Sequence, residues 1–268
     1  GEAPQGCSAR SGHRHGDRPI DTPEVPFVRT ASVIKTPPDR AGRKAFTPPG
    51  PTRGMDRSSA LDRVDALLEA VETGPLPVPV REVWVYGDVA LGLDPVDRLD
   101  VYVTKDLLLR GDDAAGASFE AEHGVQGVGK TVSAEWAEAN PEQVRTNASG
   151  HAAPEKCLAA TLLPGDEPTH LEVCNAPFER NVRRRLEVAL DRGAYDQIVD
   201  PRGVCLYAEG RRSTDAMTKL RGGELAFPTL PEALSMLGAD EAAAAEAADA
   251  LAAARTSQSG RSVRGDVV

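Results

Sequence analysis

The order of hydrophobic and polar positions predicts a chain in which helices and strands alternate from residue 55 onward. Apolar side chains recur at helical spacing in several segments, and short runs of β-branched and aromatic residues lie between them. Helices are predicted at 57–72, 113–123, 131–139, 154–163, 178–192, 231–237 and 239–255. Strands are predicted at 80–86, 98–104, 169–174 and 203–208. This alternation indicates an α/β or α+β fold with a single mixed sheet flanked by helices.

The first 54 residues differ from the rest. They hold nine of the 21 prolines and carry nine basic and five acidic residues. Their apolar residues follow neither a helical nor a strand period. Such a segment buries too little apolar surface to fold, so residues 1–54 are predicted to be a disordered leader. Met55 is the first methionine, and we expect the true start near it, the leader then being translated upstream DNA or a genuine tail. Residues 55–238 are predicted to form an α/β domain, and 239–268 an Ala-rich helix and a disordered tail.

Charge and composition exclude several classes of protein. Residues 55–268 carry 36 acidic and 22 basic residues, a net charge of −14 that repels nucleic acids and anionic membranes. No apolar run of about 18 residues occurs, as a membrane helix would need. Four widely spaced cysteines are too few for a disulfide-stapled domain, and we expect a cytoplasmic protein. The acidic surplus with only six lysines is typical of proteins in concentrated salt, although a GC-rich genome would also favour arginine and alanine.

A turn of small residues joins the first two predicted strands. It contains Gly87, Asp88 and Gly92, and Asp100 follows on the second strand. This segment resembles the nucleotidyltransferase superfamily, in which a Gly-Ser pair opens a short helix. In that superfamily an Asp-hydrophobic-Asp motif on the next strand holds two magnesium ions, and a later strand gives a third carboxylate. Glu172 is the candidate for the third position, and the resemblance implies magnesium or a nucleotide as ligands.

The sequence departs from this pattern at two positions. Asp88 stands in the place of the serine, and Arg98 stands in the place of the first aspartate. An arginine there puts a cation where the superfamily binds metal. The resemblance therefore implies a diverged domain with a binding or regulatory role rather than strong catalysis. The simpler interpretation is that Asp100 is an edge carboxylate paired with Arg98 and that the segment is an ordinary core β-unit.

A second candidate is the glycine-rich segment from Gly124 to Thr131. It matches the phosphate-loop pattern G-x-x-x-x-G-K-T through Gly124, Gly129, Lys130 and Thr131. In such a loop backbone amides hold phosphate, the lysine reaches the terminal phosphates and the threonine binds magnesium. The pattern predicts a nucleotide-binding hydrolase if a buried strand precedes it, but residues 114–123 are polar. The alternative is a helix-to-helix connection with a solvated Lys130, which would exclude the hydrolase.

A third candidate combines two histidines and two cysteines within 24 residues. His151, Cys157, His170 and Cys174 are ligands that zinc prefers, and they predict a zinc-stabilised interaction module. The segment contains no Cys-x-x-Cys pair. The alternative is that both cysteines are free and buried in the core, where cysteine is common.

Basic residues are concentrated in two places in the acidic body. These are Arg180, Arg183, Arg184 and Arg185, and then Arg211, Arg212, Lys219 and Arg221. They can seat a phosphate or an acidic partner, or they can pair with the carboxylates of the chain itself.

Residues 55–268 as a whole resemble an uncharacterised haloarchaeal family, a domain of unknown function. The segments that carry the resemblance are VWVYGDVALGLDPVDRLDVYVTKD, GVGKTVSAEWAE and NASGHAAPEKCLAA. The resemblance implies a cytoplasmic protein of a halophile, and it implies no activity.

Overall fold

A computed structural model describes residues 54–108, 111–258 and 260–265. The predicted leader, apart from Gly54, lies outside these residues, as does the end of the predicted tail at 266–268. The helices are α1 (Arg57–Thr73), α2 (Asp113–His123), α3 (Ala134–Ala139), α4 (Pro154–Leu162), α5 (Phe178–Arg192), α6 (Thr214–Gly222), α7 (Leu230–Met236) and α8 (Glu241–Ser257). The strands are β1 (Val80–Tyr86), β2 (Leu99–Lys105), β3 (Thr169–Cys174), β4 (Gly203–Ala208), β5 (Arg211–Arg212) and β6 (Ser262–Gly265).

The six strands form one mixed sheet in the order β5-β4-β1-β2-β3-β6. Strands β2, β3 and β6 are parallel to one another, whereas β1 and β5 run antiparallel to their neighbours. The prediction of a single mixed sheet flanked by helices is confirmed. No helix in the described ranges is long and apolar enough to cross a membrane.

One face of the central strands is aliphatic. Val85 of β1, Val101 of β2 and Leu171 of β3 point to the same side and are fully buried. Helix α1 covers this side with a stripe of leucine and valine at helical spacing, and α4 packs beside it. Asp56 caps the first turn of α1 by accepting a hydrogen bond from the amide of Ser59. Apolar burial on this face provides the main stabilisation of the sheet.

The other face of the same strands is aromatic and polar, because alternate residues point to opposite sides. Trp84 and Tyr102 pack against Phe178 at the start of α5, and the Trp84 and Phe178 rings stack with centroids 4.7 Å apart. Asp100 and Glu172 lie on this same face, on neighbouring parallel strands. The fold therefore buries two carboxylates beneath its helical layer.

The structure differs from the predicted elements in a few places. The helix predicted at 131–139 begins at Ala134, where Ser133 caps it, and α6 was not predicted because it buries only Met217 and Leu220. The predicted disordered tail is wrong for residues 262–265, which form β6 beside β3. Four residues are too few to show a period, and their partner strand lies about 90 positions earlier. Helix α8 packs on α5 and α7 through an apolar cluster, so it is part of the same folded body.

Candidate functional site

The turn after β1 brings two candidate residues, Gly87 and Asp88, to the buried acid on β2. Gly87 has a φ of +66°, and a Cβ on it would lie 2.5 Å from Oδ2 of Asp100 and 2.6 Å from Nη1 of Arg255. Only glycine fits this position. Gly92, with a φ of +76°, closes the turn where there is open space. Asp88 accepts hydrogen bonds on Oδ2 from the amides of residues 97 and 98, which fixes the entry into β2.

Asp100 is completely buried and is held by two arginines. Nε of Arg98 donates a hydrogen bond of 2.8 Å to Oδ1. Nη2 of Arg255 lies 3.0 Å from Oδ2 of Asp100 and 2.7 Å from Oδ1 of Asp88, so one nitrogen stands between two carboxylates. Burial raises the pKa of Asp100, and the charges of Arg255 and Arg98 only partly oppose that rise. Its Oδ2 makes this ion-pair contact without receiving a hydrogen bond.

Glu172 is held in the same manner by a second pair of arginines. Nη1 of Arg185 donates to Oε1 at 2.8 Å, its Nη2 lies 2.6 Å from Oε2, and Nη1 of Arg264 is 3.6 Å from Oε1. His170 places Nε2 3.3 Å from the same Oε1 and joins Oγ of Ser262 at 2.7 Å through Nδ1. Burial acts to raise the pKa of Glu172, but the hydrogen bonds from His170 and Arg185 and the nearby charges lower it to about 2.

A cleft of about 320 Å³ opens beside these two acids. Its walls come from distant parts of the chain: β3 supplies Glu172, the loop at 196–200 supplies Asp196 and Asp200, and α8 and β6 supply Arg255 and Arg264. Asp100 does not line the cleft itself but contacts Arg98 and Arg255, which do. Polar groups of Gln258 and Ser262 also line it. The arrangement is a set of fixed charges with hydrogen-bonding groups at the rim, which suits recognition of a polar ligand.

The acids do not form the two-metal constellation of the nucleotidyltransferases. Arg98 occupies the place of the first aspartate and contacts Asp100 directly, as the simpler interpretation of the sequence expects. Asp100 is, however, fully buried on a strand inside the sheet and is not at an edge. Within residues 54–108, 111–258 and 260–265, no group of three or more histidine, cysteine, aspartate or glutamate side chains is arranged to hold a metal ion. Because each buried acid already has guanidinium partners, a magnesium ion would have to displace an arginine to bind.

The glycine-rich segment connects two helices, which contradicts the phosphate-loop interpretation. Helix α2 ends before Gly124, at the place where a buried strand is required, and α3 begins only at Ala134. The amides of Gly129, Lys130 and Thr131 donate to carbonyl groups of the same loop, so they are not free to hold phosphate. Lys130 is exposed and pairs with Asp113 at 3.2 Å. The hydroxyl of Thr131 donates to backbone carbonyls as well.

The four candidate zinc ligands do not converge. Cys157 is buried in the core beside α3, where burial raises the pKa of its thiol, and His151 is exposed at the surface. Cys174 belongs to a different core cluster beneath α5, and His170 is occupied by Glu172 and a serine. In the described part of the chain these residues form no metal-binding group. The zinc interpretation is therefore wrong for this arrangement, and the buried-cysteine alternative describes Cys157 and Cys174.

The two basic clusters have different surroundings. Arg212 and Arg221 pair with Asp65, and Lys219 pairs with Asp215 at 2.8 Å, so most of the second cluster is compensated within the chain. In the first cluster Arg185 is bound to Glu172. The others, Arg180, Arg183 and Arg184, are exposed and make no ion pair with any described residue. The positive charges of these three arginines are therefore not compensated by described carboxylates and are available to a ligand.

Arg255 and Arg264 are the functional residues that sequence reasoning missed. Arg255 is the only basic residue in α8, a helix made almost entirely of alanine and acidic residues. Its isolation was a usable signal, because a helix of that composition needs no arginine for solubility. Arg264 lies in the segment predicted to be disordered and gave no signal.

Comparison with known proteins yields one match. A family model described as a family of unknown function, DUF7095, matches residues 56–268. Neither the curated proteins nor the solved structures contain a match.

Proposed function

We propose a binding role for this chain, which belongs to the DUF7095 family of unknown function. It is a diverged nucleotidyltransferase-like domain that binds a ligand and does not catalyse nucleotidyl transfer. The single observation that carries the proposal is the position of Arg255. One of its nitrogens lies between Asp88 and Asp100, so that a guanidinium group bridges these two carboxylates.

A guanidinium group can replace the charge of a metal ion but not its chemistry. It neutralises buried carboxylates and is always protonated in proteins. It has no open coordination position at which to polarise a phosphoryl oxygen or activate a nucleophile. Asp100 and Glu172 each lie against two arginines, so their charges are compensated without metal. This pattern supports a binding role.

The cleft beside the acids is the proposed binding place. Its volume of about 320 Å³ is at the lower end of the range for small-molecule sites. Partly exposed guanidinium groups of Arg98 and Arg264 and the amide of Gln258 offer donors at its rim. The resemblance to the superfamily makes a nucleotide, bound without magnesium, the ligand class that this proposal favours.

The proposal is tested by titrating the full chain with Mn²⁺ and following free metal by electron paramagnetic resonance, together with a nucleotidyl-transfer assay. We expect weak Mn²⁺ binding that is the same in the wild type and in Asp100→Asn, and no transfer of labelled nucleotide above background. The matched control is Asp191→Asn, which makes the same charge change on an exposed side chain. Stoichiometric Mn²⁺ binding that Asp100→Asn abolishes and Asp191→Asn retains would overturn the proposal, as would metal-dependent transfer.

A further inference from the structure

A second concave surface adjoins the acid-lined cleft, with which it shares Asp196, Gln197 and Arg264, and we call it the basic groove. It has a volume of about 630 Å³ and runs along α5 to the loop at residues 194–197 and the end of β6. Five arginines line it: Arg180, Arg184, Arg185, Arg192 and Arg264. In a chain with a net charge of −10, this local reversal of sign calls for a physical explanation.

The positive charge of the basic groove is only partly compensated. Glu172 takes up one charge because Arg185 and Arg264 share it. Among the described residues, Asp196 is the one carboxylate on the wall of the groove. Five guanidinium groups against these two carboxylates leave three positive charges. Arg180, Arg184 and Arg192 carry them, since they are exposed and pair with no carboxylate in the described part of the chain.

The arginines are arranged along one side of a rigid helix. Arg180, Arg184 and Arg192 are four and eight residues apart, which places them in a row about 18 Å long at 1.5 Å per residue. Arg185 lies next to this row and is fixed by its two contacts with Glu172, at 2.8 and 2.6 Å. A ligand in the groove would therefore meet one preoriented guanidinium and three adaptable ones.

The remaining walls indicate a small ligand rather than a macromolecule. Amide side chains of Asn181 and Gln197 line the groove, and Val188 and Ala189 form an apolar strip. Among the described residues no aromatic ring lines it, so it lacks the stacking platform that single-stranded nucleic acids use. Its volume falls within the range of small-molecule sites.

We infer that the basic groove binds a small ligand that carries two or more phosphoryl groups, and that it does so without a metal ion. Guanidinium groups pair with phosphate oxygens in a planar, two-point geometry. Two or three linked phosphoryl groups concentrate three to four negative charges in a volume that the groove can hold. An acidic peptide would need several residues to carry the same charge, and its length would extend beyond the hollow. A ligand with two or three linked phosphoryl groups therefore matches both the charge and the size of the basic groove.

The inference does not rest on the function proposed for the acid-lined cleft. Arg180, Arg184 and Arg192 line the basic groove and not the cleft, whereas Arg98 and Arg255 line the cleft and not the groove. Metal binding at Asp100 would overturn the proposed function and leave the groove unaffected. Failure of inorganic triphosphate to bind would overturn the inference about the groove and leave the proposed function of the cleft untouched.

The test is isothermal titration of the full chain with inorganic triphosphate in the presence of a chelator. We expect saturable binding to one site. Arg184→Gln and Arg192→Gln should each weaken it by about tenfold, the effect of losing one charge-assisted hydrogen bond. Arg183→Gln is the matched control, because it removes the same charge from the same helix but lies outside the groove. It should change the affinity less than twofold, and so should Lys130→Ala in the glycine-rich loop.

Further arms identify the ligand. A nucleoside triphosphate that binds as tightly as inorganic triphosphate shows that the phosphoryl chain alone is recognised, and tighter binding shows an added contact with the nucleoside. Three results would overturn the inference. They are no binding of either triphosphate, equal losses in Arg183→Gln and Arg184→Gln, and a hexaglutamate peptide that binds more tightly than triphosphate.

Discussion

Gly87 is a position at which the site leaves no room for a side chain. Its left-handed backbone favours glycine, and the space beside its Cα is taken by the carboxylate of Asp100 and the guanidinium of Arg255. A side chain at this position would therefore meet both backbone strain and steric crowding at its Cβ atom. Gly92, five residues later in the same turn, has the same backbone conformation without the crowding. The two glycines separate the two effects.

Gly87→Ala is expected to lower the free energy of unfolding by about 3 kcal/mol, since it adds displacement of a buried ion pair to the backbone strain. Gly92→Ala should cost about 1 kcal/mol, the strain alone. Urea denaturation of both variants measures the difference. Equal losses in the two variants would mean that the Asp100–Arg255 contact adjusts freely, contrary to the packing seen at Gly87.

Glu172 gives the fold a defined pH dependence. Its pKa falls from an ordinary 4.5 to about 2, so the ionised carboxylate stabilises the fold above pH 4.5 by an amount on the order of 3 kcal/mol. That stabilisation is lost as the pH falls from 4.5 toward 2. We expect Glu172→Gln to be less stable than the wild type at pH 7, and the difference to shrink across that window.

The measurement is a series of urea denaturation curves between pH 7 and pH 2. Glu187→Gln is the control, because Glu187 is exposed on α5 and pairs with no described residue. Its difference from the wild type should stay small throughout. A difference for Glu172→Gln that remains constant with pH would contradict the assignment of the arginines and His170 as partners of Glu172.

At the scale of elements, the C-terminal segment completes the site. Near its C-terminal end, helix α8 places Arg255 against the carboxylates of Asp88 and Asp100. Strand β6 adds Arg264 beside Glu172 and Ser262 beside His170. The sheet edge and the charge compensation thus depend on the same few residues. An apparently simple alanine-rich helix and a four-residue strand carry most of the cations of the cleft.

A chain that ends at Gln258 would remove β6 and should expose β3 as the new edge of the sheet. Amides of β3 that face β6 lose their partners, and we expect their hydrogen exchange to become faster together with a loss of stability of about 2 kcal/mol. A chain that ends at Gly265 keeps β6 and serves as the control. Unchanged exchange in β3 after the shorter truncation would show that β6 does not protect this edge.

The elements near the site were predictable because their patterns are local. The strands at 169–174 and 203–208 and the helix at 178–192 were predicted with the bounds they have, since each is a short buried run or a clear amphipathic repeat. Asp100 and Glu172 were predicted as candidates, and the structure places both on one face of the sheet. The partners were not predictable in the same manner. Arg255 lies 155 positions beyond Asp100, and no local pattern links them.

In the glycine-rich loop, by contrast, a sequence pattern predicted a site that the backbone geometry contradicts. Its letters match a phosphate-binding pattern, but function depends on amides that point outward, and here the amides of Gly129, Lys130 and Thr131 are used within the loop. A sequence pattern fixes residue types and leaves open where the backbone hydrogen bonds go. The missing strand before Gly124 was the sequence signal that pointed to the right result.

At the scale of the whole molecule, the two faces of the sheet have different roles. Its aliphatic face packs on α1 and α4, while its polar face buries Asp100 and Glu172 under helices and strands that carry arginine. Buried carboxylates are costly unless they are paired. In the described part of the chain, guanidinium groups contribute the positive charge at both acids. We propose that these arginines compensate the buried acids in place of the metal ions that nucleotidyltransferases hold.

The most direct test of that claim is the response of Arg255→Met to divalent cations. Removal of the guanidinium leaves Asp88 and Asp100 facing one vacated position, so the variant should be destabilised and then regain melting temperature in a saturable manner as Mg²⁺ or Mn²⁺ is added. The wild type and Arg211→Met, which loses the same charge from an exposed position on β5, should show no such response. A saturable stabilisation of the wild type, or none in Arg255→Met, would contradict the account.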